Sequence, residues 1–153
     1  MSDERFSLDT NILVYSVDRQ AGHRHEIAKH IMRIASLKAC HLTLQSISEF
    51  YAVVTRKRIM PQANAAQVAE DLINVFRIAA ASAGAVRMAL RTAANGHASY
   101  WDALLVATAA EAGCTTILTE DLADGTLLHG VRLLNPFGTS ILTPAAATLL
   151  DTD

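Results

Sequence analysis

The 153-residue chain has little cysteine, little proline, few aromatic side chains and no excess of either charge. Its two cysteines, Cys40 and Cys114, show no C-x-x-C spacing. That excludes a disulfide-stapled scaffold and a cysteine zinc site, and both residues are expected as buried free thiols. Thirteen Lys and Arg against 15 Asp and Glu leave a net charge of −2, so there is no general basic bias for nucleic acid. A nucleic-acid ligand needs a local basic patch or cations that screen an acidic site. Long hydrophobic runs are missing too. Residues 78–86 form a short apolar run interrupted by Ser82 and Gly84, and the opening Met1-Ser2-Asp3-Glu4-Arg5 is polar. The expectation is therefore a cytoplasmic protein with no secretory signal and no membrane partner. The chain also lacks G-x-x-x-x-G-K-[ST], G-x-G-x-x-G, H-E-x-x-H and G-x-S-x-G motifs, which removes the commonest phosphate-loop, dinucleotide, zinc-protease and serine-hydrolase readings.

What is present suits one globular domain. Hydrophobic residues make up 51% and charged residues 18% of the chain, enough for a proper core. Four short apolar segments, near Phe6, Leu42, Ile117 and Val131, read as strands, and residues 78–81 as a short edge strand. Between them lie helical patterns. His23 to Leu37 is amphipathic, with Ile27, Ile31, Ile34 and Ala35 on one face. Gln45 opens another helix, with Ser46 and Glu49 spelling a capping box. Asn64 is expected to cap a third, and Ser82 starts a fourth that Asn95-Gly96 closes. Ser99 and Asp102 open a buried helix that stops at Ala112-Gly113. Leu127-Leu128 reads as a connecting segment. Strands alternating with helices predict a three-layer α/β/α sandwich around a short central parallel sheet. The domain is expected over residues 1–138, with 139–153 a loosely attached tail.

The residues that carry chemistry are acids. Asp9 ends the first strand, Glu49 lies early in the helix after the second, Asp102 opens the helix before the third, and Asp121 follows the third. In parallel sheets, sites form beyond the carboxyl ends of the strands. Each acid has a bland role available: Asp9 as a helix cap, Glu49 in its capping box, Asp102 in a weaker one. Four in this order are harder to explain so. Carboxylates gathered in one place repel unless cations neutralise them. Hard oxygen ligands without Cys or His favour Mg2+ or Mn2+, which serve phosphodiester chemistry. His23, His25 and His30 read as surface histidines. Arg56-Lys57-Arg58 reads either as a solvated helix end complementing the dipole or as a phosphate-contacting patch. Trp101, beside an apolar run, is expected in the core.

Four segments together resemble the PIN domain, and more narrowly the VapC-like toxins of type II toxin–antitoxin pairs. They are Leu8-Asp9-Thr10-Asn11, Ile47-Ser48-Glu49-Phe50, residues 101–107 (WDALLVA) and Leu118-Thr119-Glu120-Asp121-Leu122. The resemblance runs from about Phe6 to Phe137. It implies a Mg2+- or Mn2+-dependent endoribonuclease with Asp9, Glu49, Asp102 and Asp121 as catalytic and metal-ligating acids, Glu49 ligating directly or through water. Asn11 and Thr119, with Thr10 beside them, match the supporting polar positions. Glu120 or Asp124 stands as an alternative fourth acid. RNA as substrate, a cognate antitoxin and a homodimer are implied in the same way. An inactive binding module, a PIN nuclease of RNA processing, and a nuclease acting on DNA flaps are the alternatives.

Overall fold

The computed structural model describes residues 4–151; Met1–Asp3 and the last two residues of the expected tail lie outside the described residues. Six strands form one sheet in the order β3-β2-β1-β4-β6-β5. They are β1 (Phe6–Leu8), β2 (Cys40–Thr43), β3 (Arg77–Ala79), β4 (Thr116–Leu118), β5 (Leu127–Leu128) and β6 (Val131–Leu134). All neighbours pair in parallel except β5, which runs antiparallel to β6. Leu127-Leu128, expected as connection, is thus an edge strand. Two residues are too few to show an alternating pattern, and pairing with β6 is what makes them a strand.

Side-chain alternation along the strands sends residues to two helical layers. Phe6, Leu8, Cys40, Leu42, Leu118 and Leu134 pack on one face. There they meet α1 (Thr10–Tyr15), α2 (His23–Ala35), α3 (Leu44–Arg56), α4 (Gln62–Val75) and α7 (Pro144–Leu149). Ile117, Val131 and Leu133 point the other way, onto Leu105, Val106 and Ala109 of α6 (Tyr100–Glu111). Against α6 packs α5 (Ala83–Ala94), through Ala85 and Ala89. Residues 103–109 of α6 are all buried, so this middle stretch of the helix is apolar on nearly every side. The three-layer sandwich expected from the alternating pattern is the fold.

Several local expectations change. Thr43, not Ser46, caps α3, its hydroxyl accepting from the Ser46 amide at 3.0 Å. Glu49 therefore sits in the second turn and is not half of a capping box. Pro61 occupies the cap position of α4, which begins two residues before Asn64. His25 is buried and its Nδ1 lies 2.8 Å from the Tyr15 carbonyl, so it is no surface residue. Both cysteines are buried free thiols.

The segment after Gly138 is not loose. Ala146, Leu149 and Leu150 are buried in the main core. Phe137 bridges Leu142, the Gly138 amide donates to the Ile141 carbonyl at 2.9 Å, and Thr143 Oγ1 donates to the Asn135 carbonyl at 2.8 Å. A Cβ at Gly138 would sit 2.4 Å from the Ile141 oxygen, so this close turn needs glycine. Small alanines and threonines hid the helix, because the three residues it buries are spread among polar ones.

Candidate active site

The sheet order places the first turning point of the chain between β1 and β4. The connection leaves β1 toward β2 on one side, and β4 joins β1 on the other. Crevices at such switch points, beyond the carboxyl ends of the strands, are where open α/β sheets bind ligands. Leu8 pairs with Leu118 as the last register of that pair, so Asp9 and Thr119 emerge side by side. The Asp9 amide extends the ladder by donating to the Leu118 carbonyl at 3.0 Å.

Asp9 is both a helix cap and the centre of the cluster. Its backbone is extended, and its Oδ1 accepts from the Thr10 amide at 2.7 Å, capping α1. Its Oδ2 accepts from the Thr119 hydroxyl at 2.7 Å. The residue is only 6% exposed. Burial pushes its carboxyl up to about 6; the negative charges of Asp121 and Asp102 add to the rise, and the two hydrogen bonds from Thr119 and Thr10 only partly oppose it. Asp121 is also pushed up, first by burial and then by the charges of Glu120 and Asp102. Asp9, Asp102 and Asp121 therefore feel one another as like charges.

Polar residues fix the carboxylates of Asp9, Asp121 and Glu49 separately. Thr119 Oγ1, besides donating to Asp9, accepts from the Asp121 amide at 3.2 Å. Asn11 Nδ2 donates to Asp121 Oδ2 at 2.8 Å. Thr10 Oγ1 donates to Glu49 Oε2 at 2.7 Å, tying the fourth acid to the same corner. Gln45 Nε2 donates to Glu49 Oε1 and to the Trp101 carbonyl, both at 3.0 Å, which links α3 to the start of α6. Asp102 enters from α6, where its amide donates to the capping Ser99 hydroxyl at 3.2 Å. So hydrogen bonds through Thr10, Asn11 and Thr119 connect Asp9, Asp121 and Glu49, and the charge of Asp102 acts on Asp9 and Asp121 from the start of α6.

The alternative acids have other partners. Glu120 accepts from the Tyr15 hydroxyl and pairs with Arg24 Nε at 3.0 Å. The Arg24 guanidinium lies over the rings of Tyr15 and Phe137, 6.0 and 5.8 Å from their centroids. Asp124 accepts from the Asn135 amide at 2.8 Å. Arg56, Lys57 and Arg58 are exposed at the far end of α3, roughly 10 Å along the helix from Glu49, and the fold does not gather them at the carboxylates. Two features escaped the sequence. Gln45 matters only because α6 comes to rest beside α3. Trp101, expected in the core, is 61% exposed.

Among the described residues, Asp9, Asp102 and Asp121 have no ion pair with Lys or Arg, and no group of three acidic, histidine or cysteine side chains closes on one point in an ion-holding arrangement. The donor set nevertheless fits a hard divalent cation. All of its side chains offer oxygen, and a buried carboxylate with two like-charged neighbours gains most from a positive ion.

By sequence, no curated protein matches the chain. By fold, a chain of Mycobacterium tuberculosis VapC20, a sarcin–ricin loop cleaving toxin, aligns with a TM-score of 0.61 at 18% identity, covering 76% of this chain and 89% of the other. A chain from Rickettsia felis VapBC2 bound to a DNA fragment of its promoter gives 0.61 at 16% identity, covering 86% and 98%. One from DNA-bound VapBC of Salmonella typhimurium gives 0.60 at 15%, again covering 86% and 98%. The PIN domain model matches residues 7–123, a span that holds all four acids and their polar links, and the chain belongs to the PIN domain family.

Proposed function

We propose that the chain is a Mg2+- or Mn2+-dependent endoribonuclease and the toxin of a type II toxin–antitoxin pair. One observation carries the reading: Asp9 is buried at the switch point, its carboxyl pushed up to about 6 by that burial first and by the charges of Asp121 and Asp102 second, with no Lys or Arg paired to the three among the described residues. In this reading Asp9 and Asp102 are the firmest metal ligands, Asp121 completes the set, and Glu49 ligates directly or through water. A bound divalent ion supplies charge for the scissile phosphate and an acidified water. The chain's own residues do the positioning. Thr119 and the Thr10 amide fix both oxygens of Asp9, Asn11 holds one oxygen of Asp121, and Thr10 with Gln45 holds Glu49. Such partners orient the ligands and set their basicity.

The VapC and VapBC structures that share the fold support RNA as substrate and an antitoxin as protein partner. A homodimer, a cytoplasmic location, and phosphate contacts from Arg56, Lys57 and Arg58 complete the proposal. No helix among the described residues is long and apolar enough to cross a membrane. The test is cleavage of single-stranded RNA by the purified chain. Cleavage is expected with Mg2+ or Mn2+, and Asp9→Asn and Asp102→Asn each reduce it to the level of chelator-treated protein. Unchanged cleavage in either variant, or cleavage that survives chelation, overturns the reading.

A further inference from the structure

Trp101 is the only tryptophan of the chain, and it stands in solvent although residues 103–109 of the same helix are all buried. Exposed apolar side chains are common singly; what sets this one apart is its place next to Asp102, at a helix start whose backbone is tied to α3. Its ring is not free to wander. Tyr100 packs edge-to-face against it, centroids 5.0 Å apart at 73°, and its carbonyl is held by Gln45. It forms one wall of an open cleft of about 420 Å3, whose other walls are Gln45, Ser48, Glu49 and Leu104.

The chemistry of that cleft is specific. No Lys or Arg lines it, so it does not grip phosphate. It offers a flat π face and an aliphatic wall from Leu104, on a lining that is almost wholly apolar. A nucleobase has the complementary surface: a flat ring to stack. Glu49 also ties the cleft to the carboxylates through Thr10. A strand whose phosphate lies at the acids therefore passes a neighbouring base over Trp101. Acidic sites repel nucleic acid at long range, and stacking holds the strand without depending on charge.

We propose that Trp101 is a base-stacking platform that seats an unpaired nucleotide of the substrate next to the scissile phosphate. This rests on the nuclease reading and adds to it the side chain that seats the base; a stacked duplex base has no free face to offer it. The test uses the full chain carrying Asp9→Asn, so that RNA is bound without being cut. Titration with a short oligoadenylate quenches the Trp101 emission, and the same oligomer with abasic sugars does not. In the otherwise wild-type chain, Trp101→Ala raises KM for single-stranded RNA roughly 5- to 100-fold with kcat little changed, and Trp101→Phe restores most of the loss. An unchanged melting temperature separates this from damage to α6.

Unquenched emission on RNA binding overturns the proposal, as does an unmoved KM in Trp101→Ala. If Trp101→Ala instead changes only the oligomeric state, the ring belongs to a contact between copies and the proposal is again overturned. Absence of cleavage by wild-type protein counts against the nuclease reading alone, since the fluorescence titration decides the stacking by itself.

Discussion

The Thr119 hydroxyl donates to Asp9 Oδ2 at 2.7 Å across two neighbouring parallel strands, from a residue 110 positions away in the chain. Thr119 Oγ1 also accepts from the Asp121 amide at 3.2 Å. One threonine therefore orients two of the proposed metal ligands, and it sits there because β1 and β4 end in register at Leu8 and Leu118.

Thr119→Val removes that bond from a buried carboxylate while nearly keeping the side-chain volume. Hydrogen bonds to charged groups contribute about 1.5–3 kcal/mol. Losing one that favours the ionised form pushes the Asp9 carboxyl higher still. In the variant, the acidic limb of the pH–rate profile for RNA cleavage moves to higher pH. An identical profile would mean that the threonine is only a packing residue.

The acids after β4 are expected to separate by role. Asp121 faces Asn11 and the cluster, Glu120 is held by Tyr15 and Arg24, and Asp124 holds the Asn135 amide. Asp121→Asn lowers metal-dependent cleavage and weakens Mn2+ binding. Glu120→Gln leaves Mn2+ affinity within about twofold, because its role lies in the Tyr15–Arg24 group. Asp124→Ala costs about 1 kcal/mol of stability, read by denaturant unfolding, and leaves cleavage intact. Loss of cleavage in Glu120→Gln with Asp121→Asn active would reverse the assignment.

The C-terminal helix is expected to hold the fold together. Leu150 is 1% exposed in the main core, so Leu150→Ala costs about 2–4 kcal/mol in chemical denaturation. Near-zero cost would show that the segment detaches easily.

The chain reveals its layers and its acids for physical reasons. Strand ends marked by Asp9 and Asp121, and helix openings marked by Ser82 and Ser99, are local chemistry, visible one segment at a time. What stayed hidden depends on contacts between distant segments. Gln45 gains its place only when α6 docks beside α3. Glu120 and Asp121 are neighbours in sequence, and only the position of Arg24 on α2 shows which of them turns away. Leu127-Leu128 became a strand by pairing with β6, and Leu149-Leu150 became core because the bridge from Phe137 to Leu142 folds them back. Trp101 misled because apolar neighbours suggested burial, whereas the first turn of α6 reaches past the layer that encloses the rest.

The central claim is that the buried Asp9 carboxylate, with the like charges of Asp102 and Asp121 near it, is completed by a divalent cation. The direct measurement is thermal stability of metal-free protein across pH, with and without Mg2+, compared between wild type and Asp9→Asn. The Asp9 carboxyl rises from 3.8 to about 6 on folding, so between those values the folded chain holds its proton more tightly than the unfolded chain. This contribution is therefore greatest below pH 4 and declines as pH rises toward 6, by an order of about 3 kcal/mol. The predicted result is a wild-type stability lower than that of Asp9→Asn above pH 6, recovered by Mg2+ in the wild type and not in the variant. Equal Mg2+ stabilisation of both proteins, or of neither, would contradict the account.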